Sequence, residues 1–381
     1  MIYLDNAATG GFKPDCVLTA AAAAMAAPAN PGRSGHKLSV ACMERVYACR
    51  KTLCEFFGGY SYERVIFTKN CTESLNFAIL GGVEALTEAN YSDIEIVSSV
   101  AEHNSVLRPL EHVKSKGVKV HMLPLDGNGD VDLSKLEKFV EERTKSKLIA
   151  VFTLASNVTG TAPDMRRVRE ILPADCILIC DGAQACGHIP IDVKELKIDA
   201  LAVAGHKGML GVQGSGVLVL SERFNPAPIT FGGTGSESFN LNMPDFYPDR
   251  LESGTLNFPA IASLAEGATY LSEHLCEHSE SVYEATERAH VQLGKINGVK
   301  LYSKPNPFGI VTFSLANMQS EMVAYALSEK YDICVRGGLH CAPLIHAALG
   351  SDGLVRASFS AFTPKSAAEK LAEAVREISL R

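Results

Sequence analysis

Short apolar runs separated by amphipathic stretches fill residues 64–221 of the chain. The runs are continuous, which predicts strands covered on both faces, and the stretches between them carry apolar residues at helical spacing. The predicted strands are 64–68, 94–99, 117–123, 147–156, 176–181, 199–205 and 216–221. This alternation predicts a doubly wound α/β domain with a mostly parallel sheet. No helix precedes the run at 216–221, so we expect it to pair antiparallel.

The last third of the chain has a different pattern. Residues 225–258 are rich in glycine, proline, asparagine and serine, and an irregular segment of this length is usually functional. A helical pattern follows over about 258–296, then strands near 308–314 and 354–359, and then a terminal helix. These elements predict a second, smaller α+β unit.

The length of 381 residues allows two domains and a large core. We predict a large α/β domain over residues 15–265 and a small α+β domain built from residues 1–14 and 266–381. Hydrophobic residues make up 46% and charged residues 21% of the chain, as in an ordinary globular protein. No apolar run is long enough for a membrane span. A net charge of −7 without a basic tract predicts no nucleic-acid partner.

Eleven cysteines are scattered along the chain without regular spacing. In a chain of this length the pattern is typical of reduced thiols, so we expect a cytoplasmic protein. Neither the cysteines nor the eleven histidines have the spacing of a zinc site, and we therefore predict no metal. A non-catalytic scaffold or a metal-binding protein that uses these residues is the alternative from another class of function.

Polar side chains follow the ends of five predicted strands. In chain order they are Thr72, His103, Asn157, Asp181 with Gln184, and His206 with Lys207. Ligands of open α/β sheets bind beyond the carboxyl ends of the strands, so these residues predict one cleft. Taken singly, each has a simpler interpretation: Thr72 as a helix cap, Asn157 as a turn residue, and Asp181 as the partner of Lys207.

One ligand accounts for the whole set. Pyridoxal phosphate needs an amine for its aldehyde, an anion for its ring nitrogen, a surface for its ring and donors for its phosphate. A lysine in a cleft of low polarity loses its proton readily, so Lys207 is the predicted amine and Asp181 the predicted anion. The helix that starts near Thr72 offers backbone donors for the phosphate.

The order of the short motifs resembles the class V aminotransferase family of pyridoxal-phosphate enzymes, and within it the SufS-type cysteine desulfurases. The motifs are "CTES", "AEHN", "SNVTG", "DGAQ", "GHK", "ESGT" and "RGGLHC", and the similarity extends from "YLDNAAT" (3–9) to "VRASFS" (355–360). The resemblance implies the type I fold of these transferases, with a mostly parallel seven-stranded sheet in the large domain. It also implies that L-cysteine becomes L-alanine, with a persulfide on Cys341 that supplies an acceptor protein for iron–sulfur cluster or related biosynthesis.

The resemblance also assigns roles to individual residues. The implied catalytic residues are Lys207, Cys341, His103 and His36. The residues implied to bind pyridoxal phosphate are Lys207, Asp181, Gln184, His206, His103, Asn157, Cys71, Thr72 and Thr255. Those implied to bind the substrate are Arg356, Arg336 and Asn157. Thr255 would reach the phosphate site of the other subunit, which implies a homodimer.

Two positions depart from the pattern of the family. The loop that carries Cys341 lacks one residue before Pro343, and Ala204 stands where many relatives have a serine. The glycines and proline around Cys341 favour a nucleophile on a loop over a small buried core residue. His340 either lowers the pKa of the thiol or shapes the loop. A selenocysteine lyase, a cystine lyase or an aminotransferase of the same family is the alternative, with L-selenocysteine as an alternative substrate.

Overall fold

The computed structural model describes residues 1–143 and 146–380. Its strands are β1 (Ile2–Tyr3), β2 (Val65–Thr68), β3 (Ile94–Ser99), β4 (Lys119–Leu123), β5 (Lys147–Thr153), β6 (Ile177–Asp181), β7 (Ala200–Ala204), β8 (Gly216–Leu220), β9 (Val299–Leu301), β10 (Ile310–Leu315), β11 (Ile333–Cys334), β12 (Arg336–Gly338) and β13 (Leu354–Ser358). Its helices are α1 (Asp15–Met25), α2 (Lys37–Phe56), α3 (Cys71–Glu88), α4 (Asn104–Ser115), α5 (Leu133–Glu142), α6 (Met165–Ile171), α7 (Phe258–Leu293), α8 (Ser320–Tyr331), α9 (Pro343–Leu349) and α10 (Ala367–Ser379). None of these helices is long and apolar enough to cross a lipid bilayer.

Seven of the described strands form the central sheet, in the order β2-β8-β7-β6-β5-β3-β4. Strand β8 runs antiparallel to both of its neighbours, and the remaining pairs are parallel. The chain passes from β7 to β8 through a glycine-rich turn, and without a crossover helix the second strand has to run backwards. The predicted mostly parallel α/β fold and the antiparallel pairing of residues 216–221 are therefore both confirmed.

Both faces of this sheet are covered by apolar cores. Along β5, the side chains of Leu148, Ala150 and Phe152 belong to one core cluster, and those of Ile149 and Val151 belong to the other. All five are at most 1% exposed. The strand is buried on both sides, which explains why its sequence is a continuous apolar run instead of an alternating one.

The smaller sheet lies in the last third of the chain. Strands β12-β13-β10-β9 form it, and β1 pairs in parallel with β11 beside it. A third apolar core lies here and joins Leu4 to residues of α8 and α10. Helix α7 contributes Phe258 to a core of the large sheet and Leu293 to this third core. The predicted boundary at residue 265 lies inside α7, and the division into two domains stays a prediction.

Helix α3 begins one residue earlier than its predicted cap. The side chain of Asn70 is the N-cap and accepts a hydrogen bond from the Glu73 backbone N–H at 2.9 Å. Thr72 lies in the first turn and is exposed. The expectation that Thr72 opens this helix is therefore wrong, because Asn70 is an equally good cap and stands three residues before Glu73.

Candidate active site

A cavity of about 240 Å³ lies at the carboxyl ends of the strands of the large sheet. The predicted site residues that line it are Cys71, Thr72, His103, Asn157, Asp181, Gln184, His206, Lys207, Arg336 and Arg356. The expectation that the polar residues at the strand ends form one cleft is confirmed. Cys341, His36 and Thr255 lie outside the lining of this cavity.

Lys207 follows β7 and lines this cavity. Burial disfavours the charged ammonium and lowers the pKa of Lys207 from its usual value, and Arg356 and Arg336 lower it further. Asp181 acts in the opposite direction. Lys13 is a second lysine whose pKa is lowered by burial, to about 8, but it donates to the His206 carbonyl at 3.0 Å and does not line the cavity. Of these two lysines, Lys207 is therefore the one that lines the cavity.

Asp181 ends β6, and its carboxylate contacts three polar groups. Its Oδ1 accepts from the Ala183 backbone N–H at 2.9 Å and from the Cys71 thiol, with Sγ at 3.4 Å. Its Oδ2 lies 3.5 Å from the Ser105 hydroxyl oxygen. Burial and the neighbouring Asp181 raise the pKa of Cys71 well above its usual value, so the thiol keeps the proton that it donates. These contacts fix the direction of the Asp181 carboxylate.

His103 is the N-cap of α4, and its ring is neutral. Burial lowers the pKa of His103 to about 4. The Ser105 backbone N–H donates to Nδ1 of His103 at 3.0 Å, and the Ser105 hydroxyl lies 2.8 Å from the same atom. Because Nδ1 accepts, the one proton of the neutral ring is at Nε2. A neutral, fixed imidazole is suited to lie against an aromatic ring without adding charge.

The other polar residues of the cavity are held by hydrogen bonds to backbone carbonyls or to a side-chain hydroxyl. Gln184 donates to the Ala7 carbonyl at 3.1 Å, and Asn157 donates to the His340 carbonyl at 2.8 Å. Nδ1 of His206 lies 3.0 Å from the Thr9 hydroxyl, and burial lowers the pKa of His206 to about 4. The lining is thus ordered before any ligand binds.

Arg356 lies on β13 and is 1% exposed. Its Nη2 forms an ion pair with Asp5 at 3.0 Å, and its Nη1 donates to the Asn157 carbonyl at 3.1 Å. Its Nε has no partner among the described residues. A buried guanidinium with an unsatisfied donor is a site for a carboxylate, because the planar group binds two oxygen atoms at once.

Cys341 is exposed on a tight loop next to the cavity. Both His340 and Cys341 have positive φ angles, 50° and 57°, a conformation that is costly for residues other than glycine. The carbonyl of Cys341 accepts from the Asn104 backbone N–H at 2.7 Å. The guanidinium of Arg336 donates to the Cys341 sulfur at 3.5 Å. The loop therefore holds the thiol beside a cation that also lines the cavity.

His340 is buried beneath this loop and stays uncharged. Burial, together with Arg356 and Arg336, lowers the pKa of His340 to about 2. A neutral ring cannot stabilise a thiolate by charge, so of the two roles that the sequence left open the structure favours shaping of the loop. The cation beside Cys341 is Arg336 instead.

His36 and Thr255 lie apart from the other predicted residues in the single chain. His36 is exposed and caps α2, where its Nδ1 accepts from the Ser39 backbone N–H at 3.2 Å. The hydroxyl of Thr255 accepts from the Asn30 side chain at 3.3 Å. Their roles near the substrate and in a partner's phosphate site stay predictions.

Four residues that support the site were missed by the sequence reasoning. They are Asp5, Thr9, Glu102 and Ser105. Asp5 and Thr9 belong to the "YLDNAAT" motif and Glu102 to the "AEHN" motif, so their motifs were a signal. For Ser105, the only signal in the sequence was its position two residues after His103. Pattern alone did not show which partner each side chain contacts.

Glu102 is a buried acid behind the cavity. It is 0% exposed, and its Oε1 accepts from the Ser99 hydroxyl at 2.7 Å and from the Thr153 backbone N–H at 3.1 Å. Its Oε2 has no partner in the described part of the chain. Burial raises the pKa of Glu102 to about 8. Glu102 is therefore a neutral acid at pH 7 and connects β3 to β5.

The unchanged protein should become less stable as the pH rises from about 4.5 to about 8, because Glu102 keeps its proton only in the folded chain. The Glu102→Gln variant should not show this decrease. The folded chain keeps the proton of Glu102 up to a pKa of about 8, whereas the unfolded chain releases it near the ordinary value of 4.5. Between these values the free energy of unfolding should fall by roughly 1.4 kcal/mol per pH unit relative to Glu102→Gln. Urea unfolding at pH 5, 6.5 and 8 measures this. A difference that does not change with pH would contradict the neutral acid.

The fold and the residues that line the cavity are those of one protein family. The family described as aminotransferase class-V matches residues 2–371, and the chain belongs to this family. The resemblance predicted from the sequence is confirmed. A probable cysteine desulfurase from Methanothermobacter thermautotrophicus is 30% identical over 92% of this chain and 88% of its own length. The cysteine desulfurase CsdA of Escherichia coli is 30% identical over 98% of this chain and 93% of its own length.

Solved structures of cysteine desulfurases have the same fold. The apo structure of the enzyme from Thermococcus onnurineus NA1 has a TM-score of 0.89 at 30% identity and covers 100% of this chain and 94% of that chain. The crystal structure of CsdA from Escherichia coli in its S-sulfonic acid form has a TM-score of 0.87 at 28% identity and covers 99% of this chain and 94% of that chain. The predicted type I fold is thereby confirmed. Within the described residues, no group of three or more His, Cys, Asp or Glu side chains could hold a metal ion.

Proposed function

We propose that the chain is a pyridoxal-phosphate-dependent cysteine desulfurase, which converts L-cysteine to L-alanine and leaves the sulfur as a persulfide on Cys341. The observation that carries this proposal is the arrangement around one cavity. Lys207 and Asp181 line the cavity, and the exposed thiol of Cys341 lies 3.5 Å from Arg336, which lines it too. The names of the relatives at about 30% identity support the same activity.

The residues of the cavity fit pyridoxal phosphate. Lys207 is an amine of lowered pKa, Asp181 is a fixed anion for the ring nitrogen, and neutral His103 offers a face to the ring. The first turn of α3 and His206 would hold the phosphate, as helix N-termini do for anions. When bound, the cofactor supplies an electron sink that makes the α-proton of the substrate acidic.

The other steps belong to the chain's own residues. Arg356 would bind the α-carboxylate of L-cysteine, and Lys207 would take the α-proton. The sulfur of Cys341, which lies beside Arg336, would attack as a thiolate and form a sulfur–sulfur bond to the substrate sulfur as the substrate's carbon–sulfur bond breaks. Protonation of the substrate's β-carbon, which has lost its sulfur, would yield L-alanine. An acceptor protein for iron–sulfur cluster or related biosynthesis would then take the persulfide sulfur.

We also infer that the enzyme is a homodimer in the cytoplasm. Thr255 lies outside the lining of its own chain's cavity, so its predicted contact with a phosphate needs a second copy. Each of the cysteines that the structure describes is free, as expected in a reducing compartment.

A product assay with L-cysteine tests the proposal. The purified enzyme with its cofactor should form L-alanine, and a persulfide should build up on Cys341 when no thiol reductant is present. With a reductant, sulfide should appear in equal amount to alanine. Pyruvate and ammonia in place of alanine would indicate a lyase and overturn the proposal, and preferential turnover of L-selenocysteine would indicate the selenocysteine lyase.

Replacing Asp181 with asparagine should slow turnover by a factor on the order of 10² or more, because it removes the anion opposite the ring nitrogen. The amide keeps the shape of the carboxylate and can still accept from the Ala183 N–H. The thermal unfolding midpoint of the chain without cofactor should therefore change little. Measuring both kcat and the unfolding midpoint separates the two effects, and near-normal turnover would show that another residue faces the ring nitrogen.

A further inference from the structure

A second cavity, of about 500 Å³, opens beside the Cys341 loop. It lies between two helices, and we call it the α3–α4 groove. Its helical lining residues are Thr72, Asn76 and Leu80 of α3 and Asn104, Ser105, Arg108, Pro109 and His112 of α4. In both sets the positions repeat every four residues, so each helix presents a single face to the groove.

The α3–α4 groove meets the active-site cavity at the start of α3 and α4, next to the Cys341 loop. The two cavities share Thr72, His103 and Ser105 in their linings. The start of α4 holds the loop at this point, because the Asn104 backbone N–H donates to the Cys341 carbonyl at 2.7 Å. Cys341 thus lines the groove, which opens to solvent, and the Arg336 guanidinium that donates to its sulfur lines the active-site cavity.

Arg108 gives the groove a positive charge. In the part of the chain that the structure describes, Arg108 and His112 line the groove and no Asp or Glu does. Arg108 is exposed and makes no ion pair with another described residue, whereas Glu111 pairs with Lys114 at 3.5 Å. From Asn104, which holds the Cys341 loop, Arg108 is about 6 Å along the helix and His112 is about 12 Å. An anionic ligand in the groove would therefore have its charge within a few ångströms of Arg108 and its other end at the sulfur.

We propose that the α3–α4 groove binds a small thiol that carries a carboxylate, and that this thiol is a second sulfur acceptor. The proposal rests on the proposed desulfurase activity, which supplies the persulfide. A cavity of about 500 Å³ has the size of a small-molecule site. Arg108 selects the carboxylate by charge, and the thiol lies at the Cys341 end.

The transfer step needs no further reactant. The thiolate of the acceptor attacks the outer sulfur of the Cys341 persulfide and forms a new sulfur–sulfur bond. The bond between that sulfur and Sγ of Cys341 breaks, and its electron pair leaves with Sγ as a thiolate. The acceptor departs as a persulfide, and the free Cys341 is ready for the next L-cysteine. No oxidant or reductant is needed, because the acceptor thiol and the Cys341 persulfide become an acceptor persulfide and the Cys341 thiol.

Single-turnover transfer of the persulfide sulfur to two small thiols, one anionic and one neutral, tests the proposal. The enzyme with its cofactor is loaded with L-cysteine, freed of excess substrate, and its persulfide content is measured. The rate of persulfide loss is then followed with 3-mercaptopropionate, which is anionic, and with 2-mercaptoethanol, which is neutral. In Arg108→Gln the rate with 3-mercaptopropionate should fall by about five-fold, the size expected for one exposed charge, and the rate with 2-mercaptoethanol should change less than two-fold.

Controls separate charge selection from general damage. Arg376→Gln removes an exposed arginine from the distant helix α10 and should leave both rates unchanged. Arg108→Lys should restore most of the rate with 3-mercaptopropionate, because it keeps the charge. Equal rates for Arg108→Gln and the original chain, or an equal loss with both thiols, would overturn the groove proposal. Failure of the original chain to form persulfide and alanine would instead overturn the proposed function, so the two failures are distinguishable.

Discussion

Replacing Lys207 with alanine is expected to abolish alanine formation from L-cysteine, with a loss of at least ~10³-fold in kcat. Lys207 is the lysine that lines the cavity, where it would carry the cofactor and take the α-proton, and burial lowers the pKa of its amine. The variant should still fold and bind the cofactor reversibly, because Asp181, His103 and the first turn of α3 are unchanged. Turnover assays, together with the absorbance of the bound cofactor, measure both effects.

Borohydride reduction of the original enzyme makes this test specific to one residue. The label should be found on the peptide that contains Lys207 and should be absent in Lys207→Ala. Lys13 is the matched control, because burial lowers its pKa to about 8 and it lies against His206, yet it is outside the cavity. A label on Lys13, or normal turnover in Lys207→Ala, would overturn the assignment of the amine.

Replacing Cys341 with serine should lower the release of alanine by at least ~10³-fold, the scale of losing a nucleophile. A serine hydroxyl is a far poorer nucleophile for sulfur than a thiolate. Removal of the α-proton depends on Lys207 and not on the thiol, so the variant should still show an absorbance change on addition of L-cysteine. Mass spectrometry after reaction should find no added sulfur at position 341.

Cys276 provides the control for this variant. It is also exposed, but it lies on α7, away from the cavity. Cys276→Ser should therefore form alanine and persulfide at the original rate. If Cys341→Ser released alanine and sulfide at the original rate, sulfur would leave without a persulfide on this residue, and a lyase would be the better description.

The sequence predicted the fold and most of the cavity because both depend on local regularities. A strand buried on two faces has to be apolar throughout, as β5 is, so the strand positions and their ends could be found from the pattern. Parallel strands place their carboxyl ends at one edge, and Asp181 and Lys207 therefore had to come together. The motif order then identified the family.

The tertiary structure alone decided the contacts between distant segments and the charge states that result from them. Arg356 pairs with Asp5, 351 positions away, and the Cys71 thiol donates to Asp181, 110 positions away. The neutral states of Glu102 and His340 arise from burial by residues of several elements, so no local pattern encodes them. The α3–α4 groove likewise exists only where two helices and the Cys341 loop meet. Pairing and desolvation are properties of packed neighbours, and a linear sequence does not specify which neighbours those are.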